Sequence, residues 1–399
     1  MNVIKMKTKL IILAICPVLF LLSFNKKGPS LPRNDQQTIR YDTGSSKGPA
    51  PSGGVYKDSL VTNFFNRTAG WIASDGAITI PLANGSVLWL MCDGHINDYD
   101  KTTGSIPCLF QVRNCGLLQP ANDWQWQHTK TLFGNGYKGS QSLFKFYPDD
   151  EHFSWPGAGV QIKDTIYVYC SNLKKTGDGG TFGFGSAGPD RWAKIKFPEM
   201  KVTGYMPLQS FGDKNFGYSM IKDEVSGYVY VYGYKMTVIK SKIYVARFPI
   251  KNPNTKWTFY DGSGWSVNVS RSVAIGDAPS NDVSMCRVKN KYLSFSTQFS
   301  VGCDQGKEIY VATGNNPVGP FSAPKTIYTI PDNVNGHSPF FYGICGHPEF
   351  TNSKDELLVT YDINGYGNCV TDCVNGRSDP NIYRPRGIRV PLKLIDPAL

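Results

Sequence analysis

The chain has 399 residues, of which 41% are hydrophobic, 13% are aromatic and only 18% are charged. The aromatic content excludes intrinsic disorder over most of the length, and the single apolar run, near the N-terminus, excludes a multi-span membrane protein. The formal net charge is +11, but residues 1–60 hold nine Lys or Arg against three Asp or Glu, so the rest of the chain is only mildly basic. Because no basic run contains interleaved aromatic residues, we expect no nucleic-acid partner.

The first 25 residues are typical of an export signal. Three lysines within residues 5–9 precede the apolar stretch Leu10–Phe24, which is short for a transmembrane helix. We therefore expect a signal peptide or an N-terminal anchor over residues 1–25. The protein would then be exported to the periplasm, the cell envelope or the extracellular space. Residues 26–60 are rich in Pro, Gly and Ser and lack hydrophobic periodicity, which predicts a flexible linker.

From residue 61 onward the chain consists of short segments rich in β-branched and aromatic residues, which are bounded by Gly, Asn, Asp and Pro. No long stretch shows a helical apolar period, so these segments predict β-strands. The clearest are Ala77–Leu82, Val87–Cys92, Gly159–Ile162, Thr165–Cys170, Gly227–Tyr234, Lys242–Phe248, Tyr292–Thr297, Glu308–Thr313 and Glu356–Tyr361.

The strand pattern also repeats on a longer scale. Similar openings, a Gly or an aromatic residue followed by two short strands, recur near residues 71, 155, 217, 283 and 342. Four-stranded units at such intervals predict an all-β, five-bladed β-propeller over residues 61–396. A strand within Tyr383–Leu394 would complete the ring. A pair of β-sandwiches is the alternative.

The hairpin in the first unit carries the most information. Asn84-Gly85 between two strand-like runs predicts a tight turn, and two pairing registers are open. In one of them residue numbers of paired positions sum to 169. In the other they sum to 168, with Gly85 in the left-handed conformation. The second register places four apolar residues on one face, and a single buried face fixes register, so we favour it. Those residues are Ile78, Ile80, Leu88 and Leu90.

In the favoured register Asp75 lies directly opposite Asp93. Two carboxylates so close resist double ionisation, so one of them should keep its proton to a higher pH. A protonated acid beside an ionised partner is what the cleavage of a glycosidic bond requires. The alternative is that both aspartates are turn residues that end their strands, since Gly76 and Gly94 follow them.

Nine cysteines remain after the predicted signal, and an oxidising compartment favours local disulfides. The pairs expected from proximity in sequence are Cys108–Cys115, Cys369–Cys373 and Cys286–Cys303. None of the cysteines or histidines has the spacing of zinc ligands, so we expect no catalytic metal.

Several motifs occur in a fixed order along the chain. They are Ser74–Asp93, Tyr228–Gly233 with Tyr244–Arg247, Gly319–Ser322, and His347–Glu349 with Tyr361–Asn364. The set resembles the secreted five-bladed propellers catalogued as domain of unknown function 4185 and its relative 5005. The resemblance covers most of residues 65–392.

Some relatives of that group form glycoside hydrolase family 183, which are endo-acting D-arabinanases. Two aspartates of the first blade are catalytic carboxylates in those enzymes, and the resemblance implies the same role for Asp75 and Asp93. The chain departs from the pattern around the second aspartate. Cys92 precedes it, and Gly94-His95 follows it where a small hydroxyl residue is expected. The substrate class therefore stays open.

The five-bladed hydrolases of family 43 offer a second analogy, because they often carry a His beside a central calcium. By this analogy His347 and Glu349 are substrate-binding candidates, or else they form a turn that braces a blade. Arg247 is a candidate substrate clamp or a salt-bridge partner. Trp155 would stack on a sugar ring or pack between blades.

We expect no required cofactor. Asp149–Glu151 and the pair Asp98 and Asp100 are acidic clusters that offer a structural Ca²⁺ site or form solvated turns. Gly183–Gly188 fits G-x-G-x-x-G but follows no βαβ pattern, so it predicts a loop and no nucleotide site.

Together these features predict a secreted, monomeric glycoside hydrolase that acts on a polysaccharide or a glycoconjugate. The resemblance implies endo-action on a glycan that contains arabinofuranose. The rival prediction is a non-catalytic propeller that binds carbohydrate or belongs to the cell envelope, because propellers serve many functions.

Overall fold

The computed structural model describes residues 41–42, 54–136, 139–176, 183–365 and 373–399. Strands account for 47% and helices for 7% of these residues, so the predicted all-β class is confirmed. The predicted signal or anchor at residues 1–25 lies outside the described residues, as does most of the predicted linker.

Five antiparallel sheets, called sheets 1 to 5 here, follow one another along the chain. Sheet 1 contains Ile78–Pro81, Val87–Met91, Cys115–Gln119 and Lys130–Leu132. Sheet 2 contains Pro156–Ile162, Thr165–Cys170, Arg191–Lys196 and Lys201–Pro207. Sheet 3 contains Asn215–Asp223, Tyr228–Met236, Ser241–Pro249, Thr258–Tyr260, Trp265–Ser266 and Gly276–Ala278. Sheet 4 contains Val283–Val288, Lys291–Thr297, Glu308–Gly314 and Lys325–Thr329. Sheet 5 contains Phe340–His347, Glu356–Asn364, Arg386–Pro391 and Tyr56–Lys57.

The remaining elements are short. The helices are Ser59–Phe65 and Leu392–Ile395, and the 3-10 turns are Trp126–His128, Val269–Arg271, Pro348–Phe350 and Pro380–Tyr383. Small sheets pair Tyr41–Asp42 with Asn333–Val334, Gly134–Gly136 with Gly139–Gln141, Trp71–Ala73 with His95–Ile96, and Ile106–Pro107 with Arg377–Ser378. Another joins His152–Phe153, Leu173–Lys175 and Phe184–Ser186. Within the described ranges no helix has the length and apolar character needed to cross a membrane.

Successive sheets pack against one another along the chain. The first strand of each of sheets 1 to 4 packs against the first strand of the next sheet. Sheet 5 returns to sheet 1, where the Thr79 hydroxyl is hydrogen-bonded to His347 Nδ1 at 2.7 Å. The first strands begin at residues 78, 156, 215, 283 and 340, close to the openings predicted from the sequence. Sheet 3 has six strands, so the expectation of four strands in every unit is wrong there.

An N-terminal segment completes the last sheet. Tyr56 and Lys57 pair with Arg389 and Ile388, at the outer edge of sheet 5. The linker prediction is therefore corrected for residues 54–60, which form this strand and the start of helix Ser59–Phe65. The strand predicted within Tyr383–Leu394 exists as Arg386–Pro391, but it is the third strand of the sheet and not the closing one.

Cys108 forms a disulfide with Cys373, 265 residues away in sequence. Cys115 and Cys286 are free and buried. All three local pairings predicted from the sequence are therefore wrong, because the bonded partners come from opposite ends of the domain.

The core lies in the layers between neighbouring sheets. One face of the first hairpin, with Leu88 and Leu90, packs on Ile166 and Val168 of sheet 2. The other face presents Trp89 to the aromatic rings of the helix Ser59–Phe65. Both faces of the hairpin are buried. The apolar face contacts sheet 2, and the face that carries Trp89 contacts the helix Ser59–Phe65.

Candidate active site

The first hairpin has the register predicted from the sequence. Ile78 pairs with Leu90 and Thr79 with Trp89, so the residue numbers sum to 168. Gly85 has φ +83°, which is the left-handed conformation that the turn requires. The prediction of both the register and the turn is confirmed.

The same hairpin brings Asp75 and Asp93 to one end of sheet 1. The Asp75 carbonyl accepts a hydrogen bond from the Cys92 amide at 2.9 Å, which joins the two segments just beyond the paired strands. Both aspartates are nearly sealed from solvent, with 2% of Asp75 and 1% of Asp93 exposed. The negative charge of Asp93 acts on Asp75, so the two carboxyls are electrostatic neighbours.

Asp93 is held by two donors from other segments. Arg113 Nη1 lies 3.1 Å from Asp93 Oδ2, and Trp155 Nε1 donates to Asp93 Oδ1 at 3.0 Å. Burial raises the pKa of Asp93 to about 6, although Arg113 and Trp155 favour the charged form. At neutral pH Asp93 is therefore mainly ionised and paired with Arg113.

Asp75 has a different environment. Tyr342 donates its hydroxyl to Asp75 Oδ2 at 3.0 Å, and Asp75 Oδ1 has no hydrogen-bond partner among the described residues. Burial, and then the charge of Asp93, raises the pKa of Asp75 well above its usual range. Asp75 is therefore the carboxyl of the pair that holds its proton more firmly.

A third carboxyl from sheet 5, Asp362, reaches the same place. Asp362 Oδ2 accepts the Gly76 amide at 2.9 Å, and the residue is 1% exposed. Asn364 donates to the Tyr342 hydroxyl at 3.2 Å. Asp362, Tyr342 and Arg113 were not among the site residues predicted from the sequence. One signal was present for Asp362, because it is an acid in the interior of the otherwise apolar and buried strand Glu356–Asn364.

Arg113 connects the buried pair to a cavity of about 500 Å³. Its guanidinium lies between the rings of Phe110 and Phe153, at 4.7 and 4.1 Å from their centroids, and 24% of its side chain is exposed. Lys145 and Lys175 also line the cavity. A ligand in this cavity would meet Arg113 directly, with Asp93 immediately behind it.

A second cavity, of about 400 Å³, lies at the junction of sheets 2 and 3. Asn172, Asp190 and Asn215 are among its lining residues, together with Ser171. The Ser171 hydroxyl accepts the Trp155 amide at 3.0 Å, so this cavity adjoins the tryptophan that holds Asp93.

The four residues predicted to bind substrate lie in different places. Trp155 joins the carboxyl cluster, but as a buried hydrogen-bond donor that packs on Phe153 and Phe184. Arg247 lies on the third strand of sheet 3, with its guanidinium 3.9 Å from the ring centroid of Tyr228. Among the described residues, the rings of Tyr228 and Trp265 are the neighbours of the Arg247 guanidinium, and neither belongs to the carboxyl cluster.

His347 and Glu349 lie at the opposite end of strand Phe340–His347 from Tyr342. His347 has no exposed surface and is hydrogen-bonded to the hydroxyls of Thr79 and Thr360. Glu349 Oε1 lies 3.7 Å from His347 Nδ1. The His347 ring thus occupies the contact between sheets 5 and 1, where no ligand reaches it in this conformation.

The acidic clusters bond to their own turns. Asp149 accepts the amides of Glu151 and His152, and Asp100 accepts the amide of Thr102. In the described part of the chain no group of three or more His, Cys, Asp or Glu side chains is placed to hold a metal ion. Residues 184–186 of the glycine-rich segment form a strand beside Leu173–Lys175.

Residues 58–392 match the family model described as domain of unknown function (DUF5005). The chain belongs to that family. No curated protein matches the sequence.

The chain is also similar to solved structures. A putative hydrolase from Bacteroides ovatus is 18% identical, with a TM-score of 0.66 over 91% of this chain and 97% of that one. This similarity establishes a shared fold. An exo-β-1,3-galactanase from Phanerochaete chrysosporium is 12% identical, with a TM-score of 0.43 over 80% of this chain and 60% of that one. An α-L-arabinofuranosidase from Podospora anserina is 10% identical, with a TM-score of 0.41 over 81% and 91%.

Proposed function

We propose that this member of the DUF5005 family is a glycoside hydrolase whose five sheets are the blades of a five-bladed β-propeller. Asp75 is the general acid that protonates the leaving oxygen. Asp93 is the ionised partner, which acts as base or as nucleophile. The observation that carries the proposal is that two buried carboxyls lie side by side in different environments, with Asp93 bonded to Arg113 and to Trp155 and with Asp75 bonded to the Tyr342 hydroxyl.

The environment of each carboxyl suits its role. A general acid must hold its proton at working pH, and burial beside a second negative charge keeps the proton on Asp75. A base or nucleophile must be ionised, and Arg113 and the Trp155 indole stabilise the charge on Asp93. Arg113 also lies between the cavity and the carboxyl pair, because its side chain lines the cavity and forms an ion pair with Asp93.

Access to the pair requires a movement of the cavity wall. Asp75 and Asp93 expose only 2% and 1% of their surface, so a sugar must displace the side chain of Arg113 before it meets either carboxyl. The burial of both carboxyls favours the second candidate function, a carbohydrate-binding protein that uses the cavity but performs no cleavage.

The finer features follow from the resemblance noted in the sequence. We propose an exported, monomeric enzyme that cleaves within a polysaccharide or a glycoconjugate, with arabinofuranose-containing glycans as the first class to test. No cofactor takes part in the proposed reaction, and a structural Ca²⁺ at the acidic turns is compatible with it.

The test is digestion of a panel of arabinans and other polysaccharides, with analysis of the products released by wild type, Asp75→Asn and Asp93→Asn. Removal of general acid–base catalysis typically costs about 10²–10⁴-fold in rate. We expect each variant to lose at least the lower of these factors while unfolding like wild type. Asp100→Asn, in an exposed turn, is the matched control and should retain full activity.

Two outcomes would contradict the proposal. Turnover like that of wild type in either folded variant would remove that aspartate from the mechanism. Saturable binding of an oligosaccharide with no product from any substrate would instead establish the binding function.

A further inference from the structure

Asp362 lies where sheet 5 meets the turn that carries Asp75. Its Oδ2 accepts the Gly76 amide at 2.9 Å, so it fixes the peptide that follows Asp75. Tyr342 is its cross-strand partner in sheet 5, and the Tyr342 hydroxyl donates to Asp75 Oδ2 at 3.0 Å. Two neighbouring side chains of one sheet thus hold the backbone and the carboxyl of Asp75.

The position of Asp362 is itself tightly fixed. Gly343 has φ +64°, and a Cβ atom there would overlap Asp362 Oδ2. The carboxyl therefore packs directly on bare backbone. Because any side chain at residue 343 would push Asp362 away from Gly76, the fold keeps this space for the carboxyl.

The cluster has more carboxyls than positive charges. Asp75, Asp93, Asp282 and Asp362 are all buried, and Arg113 is bound to Asp93. Asp282 Oδ2 accepts hydrogen bonds from Thr297 and from the Ile344 amide. Asp75 Oδ1 and Asp362 Oδ1 have no hydrogen-bond partner among the described residues. Buried carboxylates that are neither paired nor fully hydrogen-bonded resist ionisation.

We infer that Asp362 is a positioning residue for the proposed acid, because it holds the turn at Gly76 and, together with Tyr342, fixes the place of the Asp75 carboxyl. The inference rests on the proposed function for its catalytic meaning. The groups that face this pair are Asp93, Asp282 and the hydroxyls of Tyr342 and Tyr383, and none of them supplies a positive charge. The repulsion between two buried carboxylates is mutual, so Asp362 also opposes the ionisation of Asp75 without touching substrate.

Two substitutions separate the two parts of this role. Asp362→Asn keeps an oxygen that can accept the Gly76 amide but cannot ionise, so Asp75 should lose its proton at a lower pH. The alkaline limb of the profile of kcat/KM against pH should then move to lower pH. Asp362→Ala also removes the acceptor, and a misplaced catalytic group costs about 10²-fold in rate. We therefore expect kcat to fall by about 10²-fold in Asp362→Ala but not in Asp362→Asn.

A second measurement does not depend on activity. Infrared titration follows the carbonyl band of protonated carboxyls, and the band lost in Asp75→Asn identifies Asp75. In wild type we expect this band to persist above pH 7, and in Asp362→Asn we expect its midpoint to fall. Asp332→Asn is the matched control, because Asp332 is a buried carboxylate bonded to Lys57 outside the cluster. That variant should leave the midpoint unchanged.

An unchanged midpoint in Asp362→Asn would overturn the inference even if the enzyme cleaves glycans. If the infrared midpoint of Asp75 shifts in Asp362→Asn but the protein cleaves no glycan, the effect of Asp362 on Asp75 stands and the glycosidase proposal is rejected. If Asp362→Ala fails to fold, Asp362→Asn still decides the question.

Discussion

Arg113 is the residue on which both the charge of Asp93 and the access to it depend. Its guanidinium is stacked between Phe110 and Phe153, and one nitrogen is bonded to Asp93. Burial of Asp93 disfavours its charged form, and Arg113 is the main influence that opposes this effect. A single side chain therefore sets the lowest pH at which Asp93 is ionised.

Arg113→Met is the corresponding test. Methionine keeps apolar contact with the two rings but removes the cation, so the pKa of Asp93 should rise above about 6. Because the mechanism needs ionised Asp93, the acidic limb of the profile of kcat/KM against pH should move to higher pH. Activity below the new pKa falls about tenfold for each unit of the rise. Arg113→Lys retains a charge and should keep the limb closer to wild type. An unmoved limb in the Met variant would show that Asp93 is not the titrating base.

Contacts between elements that are close in sequence could be predicted better than contacts between distant segments. The register of the hairpin was predictable because Ile78, Ile80, Leu88 and Leu90 share one apolar face, and a shift of one residue would separate them onto opposite faces. The same register led to the prediction that Asp75 lies near Asp93, and the Cys92 amide is indeed bonded to the Asp75 carbonyl. Thr165–Cys170 was predicted with the bounds it has in the structure, because turn residues flank it on both sides.

Contacts between distant segments were not predictable in the same way. Arg113, Tyr342 and Asp362 reach the site from loops and sheets whose positions depend on how the sheets pack, and no local pattern encodes that packing. The strand Tyr56–Lys57 was not predicted from the sequence, for a related reason. Two residues have no periodicity to detect, and their partner strand is more than 300 residues away.

The N-terminal element that completes sheet 5 is anchored by Asp58. Its Oδ1 accepts the amides of Leu60 and Val61 at the start of helix Ser59–Phe65. Its Oδ2 accepts from Arg389 Nε at 2.6 Å. Asp58 thus joins the helix, the edge strand and the third strand of the sheet.

Asp58→Ala removes the cap and leaves the buried Arg389 without its carboxylate. Loss of one partner of a buried ion pair costs about 3–5 kcal/mol, and we expect the free energy of unfolding to fall by that amount in urea titrations. Asp277→Ala breaks an exposed pair with Lys242 and should change little. A loss as small as that of the control would mean that the N-terminal strand contributes nothing to the stability of sheet 5.

At the scale of the whole molecule, the sheets must be held together where the last meets the first. The strand Ile106–Pro107 follows the second strand of sheet 1, and it pairs with Arg377–Ser378, which precedes the third strand of sheet 5. The disulfide Cys108–Cys373 lies beside this pairing and joins residues 265 positions apart. The carboxyl cluster lies at the same junction, because Asp75 comes from sheet 1 and Asp362 from sheet 5.

Reduction of this disulfide should therefore weaken both the fold and the site. A bond that closes so long a loop restricts the unfolded chain, and its removal typically costs about 2–5 kcal/mol. We expect Cys373→Ser to lower the free energy of unfolding in urea titrations by an amount in that range. A thiol reductant should lower it less in the variant than in wild type, because Cys303 is also disulfide-bonded and remains reducible in both. Below its midpoint the variant should also lose activity before its global unfolding, since a loosened junction separates Asp362 and Tyr342 from Asp75. Activity and unfolding that decline together would show instead that sheets 5 and 1 stay docked without the covalent link, through noncovalent contacts such as the Gly76–Asp362 and Thr79–His347 hydrogen bonds.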